Sequence, residues 1–205
     1  MDALFLAELS ERLIVHYSQG QWRAPMGQRQ IPVARYDGAH LGRIVCAEAT
    51  DIERAVAGLR GASEAQGAIT EAWRALRPLA AQLRHVEGFD DPADMLAVPR
   101  LPGKTPLVML SAAQTPIAAL VAVLVAGAGR GVLWKPAPNA AASAHLVMRA
   151  LGPLSGGSLA LVQGDHTTGA VLAGMGDLVW ASDAPVPDGL GVPMLTLSAK
   201  APRRR

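Results

Sequence analysis

The chain has 205 residues, half of them hydrophobic and 18% charged, which is enough apolar material for a sizeable core and excludes wholesale disorder. Its net charge is +2, of which Arg203, Arg204 and Arg205 supply +3, so the remainder is slightly acidic and a nucleic-acid-binding surface is not indicated. Cys46 is the single cysteine, which excludes an internal disulfide framework and fits a reducing compartment.

Leu4, Phe5, Leu9 and Leu13 fall near helical spacing and predict a short amphipathic helix over 2–13. Acidic residues inside that apolar run argue against a secretory signal. "LIVHYSQGQWRAP" and "RQIPVARYDGAHLGRIVCAEA" then read as a β-ribbon, rich in β-branched residues and punctuated by Gly20, Pro25 and Gly27. A helix follows in "ATDIERAVAGLRGA", with Thr50 or Asp51 as N-cap and Ile52, Ala55, Val56 and Leu59 on one face. A second helix is predicted over about 64–86, carrying Trp73, Leu76, Leu79 and Leu83, with Pro78 expected to kink or split it. "EGFDDPADMLAVPRLPGKTP" reads as a linker.

From there strands alternate with helices. Short apolar runs at 106–110, 131–135, 158–163, 177–181 and 193–198 predict five strands, with helices at about 116–129, 139–152 and 167–174 between the first four. Near-continuous apolar strands separated by helices predict a mostly parallel sheet covered on both faces, a doubly wound α/β core. The apolar segment Ile117 to Gly129 is 13 residues long, too short to span a bilayer and right for a buried helix, so the reading is a soluble, cytoplasmic protein with no membrane partner. The last connection is unusual. Only 11 residues separate Ala181 from Pro193, and Pro185, Pro187, Gly189 and Gly191 among them leave no room for the helix a parallel crossover normally uses.

The order of these segments resembles the N-terminal part of the aldehyde dehydrogenase superfamily. "HYSQGQWRAP" is similar to the family's opening "xYIxGxWxxP" ribbon, and "GRIVCAEATDIERAVAGLRGA" to its "GxVxxATxxDVxxAVxAAxxA" passage. "AAQTPIAALVAVLVAGAGRGVLWKPAPNAAASAHLVMRAL" is similar to the central stretch "WNFPxxxxxxxxxPALAAGNxVVxKPSExTP", and "GSLALVQGDHTTGAVLA" to "GVxNVVxGxGxxxGxxL". "DLVWASD" stands where the family has "VxFTGS", and "PMLTLSAKAP" resembles a damaged "VxLELGGKxP". The resemblance runs in order over most of 16–202. It implies one Rossmann-like unit over 1–205: helix and ribbon to 48, helices at 49–88, the core at 104–200 and a basic tail at 201–205. It also explains a missing GxGxxG, since this family binds NAD without that fingerprint.

By the same resemblance, Lys135 matches the lysine that hydrogen-bonds the adenosine ribose, and Gly164 the glycine under the adenine. The acidic residue that clamps the ribose, three positions after the lysine, is Pro138 here. The serine of "FTGS", at the helix N-terminus that cradles the pyrophosphate, falls at about Asp183, whose carboxylate would repel phosphate. Gln114 stands at the oxyanion asparagine, and the general-base glutamate falls near Ser198, which cannot take a proton near neutral pH. The family's nucleophilic cysteine lies in a separate domain, expected to be absent because the chain closes at Arg205; Cys46 is placed in a different part of the fold. NAD binding is therefore expected to be weakened or lost, with no cofactor needed.

Trp134 and Trp180 end two predicted strands, where they either flank a ligand cleft or plug it. With Lys135 and Gly164 they are the candidate remnant of the cofactor site. Asp165 and His166 read as a metal or catalytic pair or, more simply, as a helix N-cap. His16, His40, His85 and His145 form no recognisable nucleophile pattern, and no catalytic or metal residue is assigned. Three functions follow as expectations. The first is a non-catalytic, aldehyde-dehydrogenase-like structural or regulatory subunit, partnered by a full-length relative or by a second copy. The second is an NAD-binding subunit whose catalytic cysteine domain is on another chain. The third is a small-ligand binder that reuses the cleft.

Overall fold

The computed structural model describes residues 13–91 and 100–197. In chain order the elements are β1 (Leu13–Ile14), β2 (His16–Ser18), β3 (Gln21–Arg23), β4 (Gln30–Ala34), β5 (His40–Val45), α1 (Ala49–Ala57) and α2 (Gln66–Glu87). Then come β6 (Leu107–Ser111), α3 (Ile117–Gly127), β7 (Val132–Pro136), α4 (Ala141–Leu151), β8 (Leu159–Leu161), α5 (His166–Ala173), β9 (Asp177–Ala181) and β10 (Leu195–Leu197).

The apolar runs of the second half form five parallel strands, as their length and composition predict. Among the described residues the sheet they build has seven strands, in the order β10-β9-β6-β7-β8-β2-β3. The two extra strands come from the N-terminal ribbon, which does not stand apart from the core. It divides: β2 pairs antiparallel with β8 through Tyr17 and Leu161, while β1, β5 and β4 make a separate three-stranded sheet. The physical reason is Tyr17. It is buried, and a Cβ at Gly152 would stand 2.6 Å from its ring, so the glycine after α4 makes room for a ribbon side chain in the core.

Alternation along each strand sorts side chains to two faces. Leu107, Met109, Val132, Trp134, Leu159, Leu161 and Val179 pack with Trp73 of α2, Leu120 and Leu124 of α3, and Val147 and Leu151 of α4. Val108, Leu110, Leu133, Ala160, Val162 and Leu178 pack on the other face, with Ile52 and Ala55 of α1 and Leu172 of α5. The small sheet buries Ile14, Val33, Leu41 and Ile44 against Leu83 of α2 and Leu146 of α4. This is a doubly wound α/β fold.

Two local expectations are corrected. Helix α2 runs unbroken through Pro78, because Ile69, Trp73, Ala80 and Leu83 bury one stripe on both sides of the proline and hold the two halves in line. Helix α1 is capped by Glu48, with Asp51 in its first turn: the Asp51 carboxylate accepts from the Glu48 N–H (3.2 Å) and from the Met26 N–H (3.0 Å), tying the ribbon to the helix start. Beyond the end of α2, Gly88 takes a positive φ of 97°. Near that end the buried Arg84 guanidinium donates to Glu87 (3.2 Å), Asp91 (3.1 Å) and the Ala113 carbonyl (2.6 Å), and lies over the Phe89 ring.

Segment 182–194 contains no helix, as its prolines and glycines predict, yet β10 still pairs parallel to β9, with Leu195 opposite Val179. Among the described residues no helix is long and apolar enough to cross a membrane. The helix expected over 2–13, the basic tail and Ser198 lie outside the described residues, apart from Leu13, which begins β1.

Candidate functional site

After β6 the chain builds β7 and β8 on one side, and then crosses to build β9 and β10 on the other. A crevice opens outside the carboxyl ends of the strands where the winding direction reverses, the usual ligand position in open α/β sheets. Here it is a cleft of about 600 Å³, lined by Leu110 and Gln114 at and after the end of β6, Lys135 and Pro138 around the end of β7, and Trp180 and Leu190 around the last connection. A volume of that size suits a small organic ligand.

Register decides which side chains face it. Leu110 pairs with Lys135 on one side and with Trp180 on the other, so the three lie in one row on one face. Lys135 is only 7% exposed, and a Cβ at Gly169 of α5 would stand 3.9 Å from its Cδ, so that glycine leaves the stem its room. Burial lowers the Lys135 ammonium's pKa to about 8, against the opposing pull of Asp165 and Cys46. Among the described residues no carboxylate lies within ion-pair distance of it. Trp180 is half-buried, and its indole N–H donates to the Ala184 carbonyl (2.7 Å), which pins the turn after β9 to the cleft wall.

The other sequence candidates lie elsewhere. Trp134, one residue before Lys135, pairs with Met109 and points to the opposite face, where it is 1% exposed and donates to the Ser111 hydroxyl (2.9 Å). It neither flanks nor plugs the cleft. The parity of alternation is the reason: Trp180 pairs one rung further along than Trp134. Gly164 is also outside the lining. It follows β8 and packs on Thr168, whose Cβ a Gly164 Cβ would approach to 2.5 Å. Asp165 caps α5, accepting from the Thr168 N–H (3.2 Å), and pairs with Arg29 (2.6 Å). Burial works to raise its carboxyl's pKa, but the Thr168 and Thr167 N–H groups and Arg29 hold it below the ordinary value. His166 and Gln114 line the cleft with Lys135.

Cys46 lies in the ribbon, where its N–H donates to the Arg29 carbonyl (2.8 Å), and the adjoining Ala47 N–H donates to the Gln163 carbonyl (3.0 Å), which stitches this segment to the end of β8. The thiol therefore lies within the electrostatic reach of Lys135 and Asp165, and burial raises its pKa so that it stays protonated. It is 4% exposed and does not line the cleft. His16, 35 positions before Asp51 in the chain, sits 3.7 Å from its carboxylate, and its Nδ1 accepts from the Gln163 N–H (3.1 Å). His145 stacks 4.3 Å from Trp22, and the exposed His85 bonds Asp90 (2.8 Å). No three metal-ligating side chains cluster among the described residues. Sequence reasoning missed the cleft-facing roles of Asp188 and Leu190. The Pro- and Gly-rich spacing of their loop was the available signal.

No family model matches the sequence, and no curated protein matches it either. Solved structures do match. An aldehyde dehydrogenase C from Pseudomonas syringae, solved with NAD+, is 18% identical at a TM-score of 0.64, with 85% of this chain and 46% of that one covered. An aldehyde dehydrogenase from Bartonella henselae is 15% identical at 0.68, over 85% of this chain and 48% of that one. A betaine aldehyde dehydrogenase from Staphylococcus aureus, also solved with NAD+, is 13% identical at 0.68, over 89% and 47%. The chain therefore has the fold of the corresponding part of the aldehyde dehydrogenases, and spans about half the length of the solved structures it matches.

Proposed function

We propose that this chain is a non-catalytic relative of the aldehyde dehydrogenases, a cytoplasmic structural or regulatory subunit that works by association with a full-length relative or with a second copy of itself. The observation that carries this reading is segment 182–194, which crosses the carboxyl edge of the sheet without a helix. A dinucleotide's pyrophosphate is normally met by a helix N-terminus, whose free N–H groups and dipole attract it. That segment offers none, and the N-terminus of α5, which reaches the cleft at His166, is already capped by the Asp165 carboxylate. Pro138, which lines the cleft, supplies neither a carboxylate nor an N–H for a ribose. The residues present thus fit NAD poorly, and the buried, protonated thiol of Cys46 is a poor nucleophile. Among the described residues, strands β3 and β10 end the large sheet and have a strand partner on one side only, which favours association along an edge.

The second reading is an NAD-binding subunit whose catalytic cysteine domain is on another chain. The open cleft with Lys135 in its wall favours it. Calorimetric titration with NAD+ and NADH to millimolar concentration separates the two. No heat of binding, together with a concentration-dependent mass by light scattering, supports the associating subunit. Micromolar binding by a monomer supports the cofactor subunit and overturns the first reading.

A further inference from the structure

Lys135 has three properties that rarely coincide. It is more than nine-tenths buried, it has no carboxylate within ion-pair distance among the described residues, and it opens into a cleft with room for a small organic molecule. The wall around it is mainly apolar, with Leu110, Ala137, Pro138, Trp180 and Leu190. The lining also carries polar side chains, Gln114, Asn139 and Ser182 among them, but no arginine and no second lysine, and Asp188 lies in it while the charge of Asp165 also bears on the lysine. The occupant that matches an amine in apolar walls with no surplus positive charge is a neutral electrophile.

We propose that Lys135 captures small neutral carbonyl compounds in this cleft as a reversible imine. The neutral Nζ attacks the carbonyl carbon, the C=O π pair moves to oxygen, and a proton passes from nitrogen to that oxygen to give a carbinolamine. The hydroxyl then leaves as water after taking a proton from solvent, the nitrogen lone pair closes the C=N bond, and the resulting iminium returns its remaining N–H proton to solvent to leave the imine. His166 lines the same cleft at its exposed rim and is placed to relay these protons with solvent. No oxidant or reductant is consumed. Burial supports the step by holding the amine's pKa near 8, which leaves far more neutral amine near pH 7.5 than an ordinary lysine has. The charged and titratable groups that bear on Lys135 are Asp165, itself paired with Arg29, the Cys46 thiol, and His166 and Asp188 of the lining. Cys46 does not compete, because its thiol is buried and outside the lining. The capture does not depend on whether the chain binds NAD or partners.

The test is reductive trapping of the full chain with butanal and cyanoborohydride at pH 7.5, read by intact mass and peptide mapping. Lys104 is exposed and serves as the internal reference. Alkylation at Lys135 is expected roughly tenfold faster than at Lys104, the lower nucleophilicity of a weaker base offsetting part of its larger neutral fraction. Its rate should saturate with butanal and level off above about pH 8. Lys135→Arg keeps the cation and should remove the fast label while Lys104 still reacts. Equal rates at the two lysines, or fast labelling that survives Lys135→Arg, overturn the proposal. If the variant fails to fold, the wild-type rate ratio and its pH profile decide alone.

Discussion

Lys135 and Trp180 both pair with Leu110, from opposite neighbouring strands, so the amine and the indole share one face of the sheet, while Trp134 faces the other. A single peptide bond therefore separates a core tryptophan from a cleft lysine. Trp134→Ala removes a fully buried ring and its bond to Ser111, and should cost about 3–5 kcal/mol of stability by urea denaturation. Trp180→Ala removes a half-exposed ring and should cost under about half of that, while raising the Lys135 alkylation rate by widening the cleft. Equal losses at the two positions would contradict the assignment of faces.

Arg84 joins α2 to the connection after β6 through Glu87, Asp91 and the Ala113 carbonyl, and all of these charges are buried. Breaking such a network by removing one partner leaves uncompensated buried groups. Arg84→Ala should destabilise by about 3–5 kcal/mol in equilibrium denaturation. Glu87→Gln should cost much less, since burial already raises the Glu87 pKa and an amide oxygen can still accept from the Ser143 N–H. A Glu87→Gln variant as unstable as Arg84→Ala would show that the full carboxylate charge is required there.

Burial lowers the His16 pKa, with Asp51 opposing and Arg54 adding to the effect. For a base whose folded pKa is depressed, the unfolded chain binds the proton first. Stability is then full above the unfolded value of about 6.5 and falls as pH drops from there toward the folded value. The slope from this one group is at most about 1.4 kcal/mol per pH unit. Glu87, with a raised pKa, acts in the opposite sense at lower pH, so a His16→Gln comparison is needed to isolate the histidine. The wild-type Tm should fall between pH 7 and pH 5.5 by more than the variant's does. Parallel curves would rule the mechanism out.

The parallel core was legible because each of its runs carries its own signal: short, apolar and bounded by Gly, Pro or a helix start. Predicted strands at 131–135 and 177–181 became 132–136 and 177–181. What was not legible depends on register and on distant pairing. Trp134 and Trp180 look equivalent until their rungs are counted, and a one-residue offset reverses the face. Cys46 and Lys135 are far apart in sequence, and the Ala47–Gln163 bond at the end of β8 helps bring them near. The division of the ribbon between two sheets followed from one buried tyrosine and a distant glycine, Gly152, a contact no local pattern encodes.

Two glycines near the site make opposite demands. At Gly164 an added Cβ would come within 2.5 Å of the Thr168 Cβ, and removing the rest of the Thr168 side chain leaves that atom in place. Gly164→Ala should therefore cost about 1–3 kcal/mol, and Thr168→Ala should not rescue it. Gly169 lies inside α5, where an added Cβ would meet Leu110 and Lys135 carbons only at 3.8–4.0 Å, ordinary contact distance. Alanine there removes unfolded-chain freedom without strain and should stabilise by about 0.4–1 kcal/mol. Thermal melts of the two variants, side by side, should move in opposite directions. Gly169→Val should instead crowd the Lys135 stem and slow its alkylation. That would separate the glycine that packs the helix start from the one that leaves the lysine its room.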